Sequence, residues 1–119
     1  TDIVQIGRVE AVWRRHGERF ARRVLTAAER AEAGGLREPW RHLAKRFAAK
    51  EAIAKAFGTG IGVELGFHDM EIRREASGAP RVDLSPRGAD LLARRGGQRV
   101  LVTLSDERAY AVAFAVVLA

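Results

Sequence analysis

Apolar residues recur every three or four positions through the first half of the chain and at every second position in much of the remainder. The pattern predicts helices first and strands afterwards. Thr1-Asp2-Ile3-Val4 reads as the end of a short strand. Val9, Val12 and Trp13 then fall at helical spacing from Gly7 to about Arg15. Gly17 interrupts, and Phe20, Val24 and Leu25 carry the apolar stripe into a second short helix. Thr26-Ala27-Ala28-Glu29 is a capping-box pattern that opens a third, stopped by Gly34-Gly35.

The strongest helix signal runs from Pro39 to Phe57. Proline suits a first turn, the interior is rich in alanine, and Gly58 stands where a left-handed C-terminal residue belongs. At ~1.5 Å per residue this helix is roughly 28 Å long. Leu43, Phe47, Ala54 and Phe57 share its expected core face. Beyond it, Met70–Arg73 and Arg81–Leu84 alternate around the Ser77-Gly78-Ala79-Pro80 turn, as a hairpin does. Ser85-Pro86 caps a helix to about Arg95, broken by Gly96-Gly97. Val100–Leu104 and Tyr110–Leu118 read as two further strands joined through residues 105–108. Helices followed by strands around one helix imply an α+β fold, a single domain over residues 1–119 with an antiparallel sheet packed on the long helix.

Composition narrows the class of function. The chain contains no cysteine, which excludes disulfides and thiolate metal sites. No apolar run approaches the ~20 residues that a membrane span needs, so a soluble cytoplasmic domain is expected. The formal net charge is +6 and lies wholly in residues 1–60, because residues 61–119 balance. That half is therefore expected to meet an anionic partner: nucleic acid, an acidic protein or a phosphorylated cofactor. Arginine outnumbers lysine 18 to 3, which suits bidentate recognition of phosphate and carboxylate. Aromatic residues make up only 7% and sit at core spacing, which argues against a base-stacking nucleic-acid module.

The long helix carries the candidate chemistry. Glu51 and Lys55 lie on a face otherwise made of Ala44, Ala48 and Ala52, small neighbours that let another segment or a ligand approach. By spacing alone, Glu51 and Lys55 also fit an ordinary i,i+4 helix pair worth ~0.2–0.5 kcal/mol. Arg46 and Lys50, also four apart, occupy an adjacent face. His16, His42 and His68 read as surface or packing histidines.

Several motifs occur together and in order. They are Thr1-Asp2-Ile3-Val4 with Ile6 and Arg8, Lys45-Arg46-Phe47-Ala48-Ala49-Lys50-Glu51-Ala52, and Lys55-Ala56-Phe57-Gly58-Thr59-Gly60-Ile61. Met70-Glu71-Ile72, Gly78-Ala79-Pro80, Leu104-Ser105-Asp106-Glu107 and Tyr110-Ala111-Val112-Ala113 follow. Together they resemble the holo-acyl-carrier-protein synthase family over almost the whole chain.

The resemblance implies a 4'-phosphopantetheinyl transferase fold and Mg²⁺-dependent transfer of phosphopantetheine from coenzyme A to a serine of acyl carrier protein, releasing 3',5'-ADP. It implies that Asp2 and Glu51 bind Mg²⁺ and that Lys55 contacts the diphosphate. It gives Arg46 to the nucleotide phosphates and Gly58, Thr59, Gly60 and Ile61 to the loop that coenzyme A approaches. The serine proton goes to Glu51 or to a metal-bound water. Arg8, Arg15, Arg19 and Arg23 are implied to dock the acidic carrier protein. The resemblance also implies a homotrimer with active sites between subunits, and Ala44, Ala48 and Ala52 would permit close packing there. One departure stands out: Leu101 occupies a position where the family often carries a histidine near the nucleotide phosphates. That departure leaves open a non-catalytic member that only binds carrier protein or coenzyme A.

Overall fold

A computed structural model describes residues 1–119. Its strands are β1 (Asp2–Gln5), β2 (Met70–Arg74), β3 (Pro80–Leu84), β4 (Arg99–Asp106) and β5 (Tyr110–Leu118). Its helices are α1 (Ile6–His16), α2 (Glu18–Val24), α3 (Ala27–Ala33), α4 (Pro39–Phe57) and α5 (Pro86–Arg94). All strand pairs are antiparallel. They form a three-stranded sheet in the order β1-β5-β4 and a separate β2-β3 hairpin. No helix is long and apolar enough to cross a membrane.

Helix α4 starts on Pro39 and ends where Gly58 turns left-handed at φ 83°, its N–H donating to the Lys55 carbonyl at 2.9 Å. Gly17, at φ 56°, makes the break between α1 and α2. Ser85 caps α5 by accepting from the Gly88 N–H.

The core follows from the pleat of β5. Ala111, Ala113 and Ala115 point inward and are buried, whereas Tyr110, Val112 and Phe114 point outward and are exposed. The inward alanines meet the alanine face of α4, and Ala44, Ala48 and Ala52 are fully buried between helix and strand. The small face of the helix thus admits a strand of its own chain. It is not available to a neighbouring subunit, which corrects the expectation that it would serve trimer packing. Ile53, Leu65, Met70, Ile72 and Leu91 complete the main cluster. Truncating Ile53 to alanine there would cost about 2–5 kcal/mol. A second cluster joins Ile6, Val9, Val24, Leu25 and Leu43 beneath α1 and α2, with Phe47 half-buried at its edge.

Candidate active site

Register places the first acid. Asp2 pairs with Ala113, and Ala113 pairs with Leu104 on its other side, so Asp2, Ala113 and Leu104 form one row across the sheet. Directly opposed residues share a face, and Ala113 is buried toward α4. Asp2 therefore lies beneath the helix that carries Glu51 and Lys55.

Lys55 Nζ donates to Asp2 Oδ1 at 2.9 Å and to the Thr1 carbonyl at 3.0 Å. The simple i,i+4 pairing of Lys55 with Glu51 is not what forms, because the lysine reaches across to the strand. Glu51 is half-buried. Burial, and then the neighbouring Asp2 carboxylate, push its pKa up, with Lys55 opposing. Asp2 is thus near enough to disfavour the charge of Glu51. Two neighbouring carboxylates, one of them held up in pKa by the other, form a donor set that a hard cation relieves. Mg²⁺ commonly takes one or two protein carboxylates and fills the rest of its shell with water and phosphate oxygens. No group of three or more acidic or histidine side chains gathers anywhere in the chain. A bound Mg²⁺ would accordingly draw most of its ligands from outside the protein, and the residues present fit it.

At the far end of the same row, Leu104 lines a cavity of about 230 Å³ with Lys45, Arg46, Arg74, Gly78, Pro80 and Asp106. Two strand spacings separate Asp2 from Leu104, roughly 10 Å. Arg46 is only 2% exposed, yet its Nε and Nη1 have no hydrogen-bond partner. Burial lowers its pKa, while Glu29 opposes that shift. A buried, unpartnered guanidinium facing a cationic cavity matches an anionic ligand. Leu101 is not part of this cavity and lies on the exposed side of β4. Within one subunit, position 101 therefore stands apart from the surroundings of Arg46.

The loop after α4 folds back on the helix end. The N–H groups of Thr59 and Gly60 both donate to the Ala54 carbonyl, at 3.2 and 3.1 Å, and Gly60 is left-handed at φ 67°. Ile61 packs on the main core. Asp69 then clips the loop. It accepts from the Gly66 N–H at 2.8 Å, from Ser85 Oγ at 2.7 Å and from Arg87 Nη2 at 2.6 Å. Arg87 Nη1 also donates to the Val63 carbonyl at 2.7 Å. The Arg87 bond is the main reason that the Asp69 pKa falls to about 2.

Arg8, Arg15, Arg19 and Arg23 are all exposed and have no carboxylate partner, whereas their neighbours Arg14 and Arg22 pair with Glu10 and Glu18. Arg8 borders an apolar groove floored by Val9, Val12, Phe20 and Phe47. Arg19 and Arg23 border its continuation at Val12 and Phe20. Arg15 belongs to neither lining.

Sequence reasoning missed the pair beneath the site. Lys50 and Glu29 are both fully buried, with Nζ to Oε1 at 2.6 Å. Lys50 also donates to the Val24 carbonyl at 2.6 Å. Glu29 accepts from the N–H groups of Thr26 and Ile72, both at 2.8 Å. One carboxylate therefore ties α3, β2 and α4 together. Burial lowers the Lys50 pKa, with the charge of Glu29 opposing. The capping box was the only signal for Glu29, and it explains one of the three bonds that its side chain accepts.

An α+β domain with paired acids beside a helix lysine, and a buried arginine across one sheet row, defines a phosphate-handling class of protein. Residues 1–115 match the family model described as ACPS, 4'-phosphopantetheinyl transferase superfamily, and the chain belongs to that family. It is 50% identical over 117 residues to a Yersinia enterocolitica protein named holo-[acyl-carrier-protein] synthase, covering 98% of this chain and 93% of that one. Among solved structures, the Neisseria meningitidis holo-[acyl-carrier-protein] synthase superposes with a TM-score of 0.93 at 39% identity, covering 99% of this chain and 94% of the other. The Helicobacter pylori holo-[acyl-carrier-protein] synthase in complex with coenzyme A gives 0.86 at 33% identity, covering 98% and 96%.

Proposed function

We propose that this protein transfers the 4'-phosphopantetheine arm of coenzyme A to a serine of an acidic acyl carrier protein, releasing 3',5'-ADP. The observation that carries the reading is the convergence of Asp2, Glu51 and Lys55 from two distant segments. In this reading Asp2 and Glu51 hold Mg²⁺. The ion supplies charge neutralisation and polarisation of the diphosphate. Lys55 leaves Asp2 to contact the diphosphate. Arg46 takes a second phosphate group of the nucleotide about 10 Å away along the sheet row.

The serine oxygen attacks the phosphorus bearing pantetheine. The Oγ–P bond forms, the bond to the leaving 3',5'-ADP oxygen breaks, and the serine proton passes to Glu51 or to a water of the site. Negative charge spreads over phosphoryl oxygens in the transition state, so fixed cations and positioning supply most of the acceleration. Gly58 to Ile61 provide the close backbone approach to coenzyme A. Arg8, Arg15, Arg19 and Arg23 steer the acidic carrier onto the first two helices.

The outward face of β1-β5-β4 supports a homotrimer. Ile3, Leu101, Tyr110, Val112 and Phe114 are all exposed large apolar residues on these strands, Phe114 at 52%. In the proposed assembly one subunit supplies Asp2 and Glu51 while its neighbour encloses the nucleotide. The proposed location is the cytoplasm, where both substrates would meet. Mass spectrometry of apo carrier protein incubated with the enzyme, coenzyme A and Mg²⁺ tests the reading. It requires a mass gain equal to one phosphopantetheine group, and an unchanged carrier mass would refute it.

A further inference from the structure

We propose that His42, which stands one helix turn from Arg46 and outside the cavity lining, is coupled to the anion site there and takes up a proton when a dianion enters the cavity. The inference rests on the reading of that cavity as a phosphate site.

Only three buried side-chain polar atoms in the chain lack a partner: His42 Nε2, Arg46 Nε and Arg46 Nη1. The two residues are four apart on α4, so they lie one above the other on one helix face. The charges that act most on the imidazole are positive: Arg46 and Lys45 from α4, and Arg74 from β2. These are the three cations that line the cavity. The acids nearby are engaged elsewhere. Glu29 and Glu32 face Arg46 from α3, but Glu29 is bound to Lys50 and Glu32 to Arg73. Asp106 is held by Arg41 at 3.2 Å and Lys45 at 3.9 Å.

Burial, followed by this triple positive charge, holds the imidazole neutral at physiological pH, with a pKa of about 4. A dianion among Lys45, Arg46 and Arg74 reverses the local field. It favours the imidazolium and compensates the charge that now costs most. Binding must then take up a proton, and by linkage the anion binds more tightly as pH falls. A bound dianion raises the His42 pKa, and the proton so taken up makes binding about tenfold tighter at pH 5 than at pH 8.

Sulfate is the probe, because its charge stays at −2 across this range. Calorimetric titrations of the full chain with sulfate at pH 5 to 8 measure the slope, and NMR follows the His42 ring signals with and without sulfate. The expected result is about tenfold tightening toward pH 5, an upward move of the His42 midpoint on adding sulfate, and a flat profile in His42→Phe. His42→Gln provides a second neutral variant should phenylalanine disturb packing, and the NMR titration needs no variant. A flat wild-type profile, a slope that survives in both variants, or a His42 midpoint indifferent to sulfate overturns the inference. Arg46→Met separates the two levels. Undiminished sulfate binding in that variant overturns the phosphate reading of the cavity itself, whereas lost binding there with a flat wild-type profile overturns only the role of His42.

Discussion

Lys55 bridges to Asp2 across fifty-three positions of sequence, its Nζ 2.9 Å from Oδ1, and so holds a positive charge over the strand end beside Glu51. The lysine compensates one carboxylate of a pair that would otherwise repel. Replacing Asp2 by asparagine removes that repulsion. The Glu51 pKa, held up by burial and by Asp2, should then fall. Carboxyl-carbon NMR titration of Glu51 in both proteins measures the move, and an unchanged midpoint would show that the two acids do not interact.

Glu51→Gln tests the same site through activity. Glutamine keeps the shape and loses the charge, so the fold should persist, with an unchanged circular-dichroism spectrum. Transfer to carrier protein should fall by at least about a hundredfold, the scale of losing one charge-stabilising group at a reacting centre. Chelating divalent cations should abolish transfer by the parent protein and leave the variant's residue of activity unaffected. Turnover retained in Glu51→Gln would show that this carboxylate does not bind the cation.

The buried pair Lys50–Glu29 makes a prediction about stability. Lys50→Met alone strands a fully buried carboxylate and should cost about 3–5 kcal/mol. Adding Glu29→Gln removes the stranded charge and keeps an oxygen for one of the two N–H groups, which in the parent meet different oxygens, Thr26 on Oε1 and Ile72 on Oε2. The double variant should recover part of the loss in urea denaturation. Equal midpoints for single and double variants would mean that the charge is not the cost.

Much of this architecture was legible in the sequence, and the failures share a cause. Helix α4 was visible because Pro39, an alanine-rich interior and Gly58 all specify the same element locally. The β2-β3 hairpin was visible because its turn and alternation are contiguous. Glu29 was read as a cap because the capping box is local, while its bonds to Lys50 and Ile72 span 21 and 43 positions. The alanine face of α4 was visible, but its partner was not. Only the register of β5 shows that Ala111, Ala113 and Ala115 fill it. The roles of Asp2 and Arg46 came from family likeness. The single row Asp2–Ala113–Leu104 that relates their two sites required the assembled sheet.

Asp69 predicts behaviour in acid. Its pKa is depressed to about 2 from an ordinary 3.8. Its contribution to stability is therefore fully present above about pH 4 and lost as pH falls through about 2. Arg87→Met removes the largest cause of the depression, and the Asp69 midpoint should rise toward the ordinary value. Loss of the Val63 contact should also free the loop after Gly58. In coenzyme A titrations the same variant should raise KM more than it lowers kcat. A midpoint that stays near 2 would place the cause in Gly66 and Ser85.

The arginines on the first two helices can be separated by their pairing. Arg8, Arg19 and Arg23 have no carboxylate partner and rim an apolar groove, while Arg14 and Arg22 are already neutralised one turn away. An acidic helix docked there would place its carboxylates on the rim and an apolar side chain on Phe20 and Val12. Charge reversal at Arg8, Arg19 or Arg23 should raise KM for the carrier several-fold and leave kcat nearly unchanged, because rim charges act chiefly on encounter. The effect should shrink as salt rises past about 0.15 M, where the Debye length is about 8 Å. The same reversal at Arg14 or Arg22 should do less, because neither side chain lines the groove. Steady-state kinetics across a salt series distinguishes the two sets. Equal effects at all five positions would point to net charge, without a docking surface, as what the carrier reads.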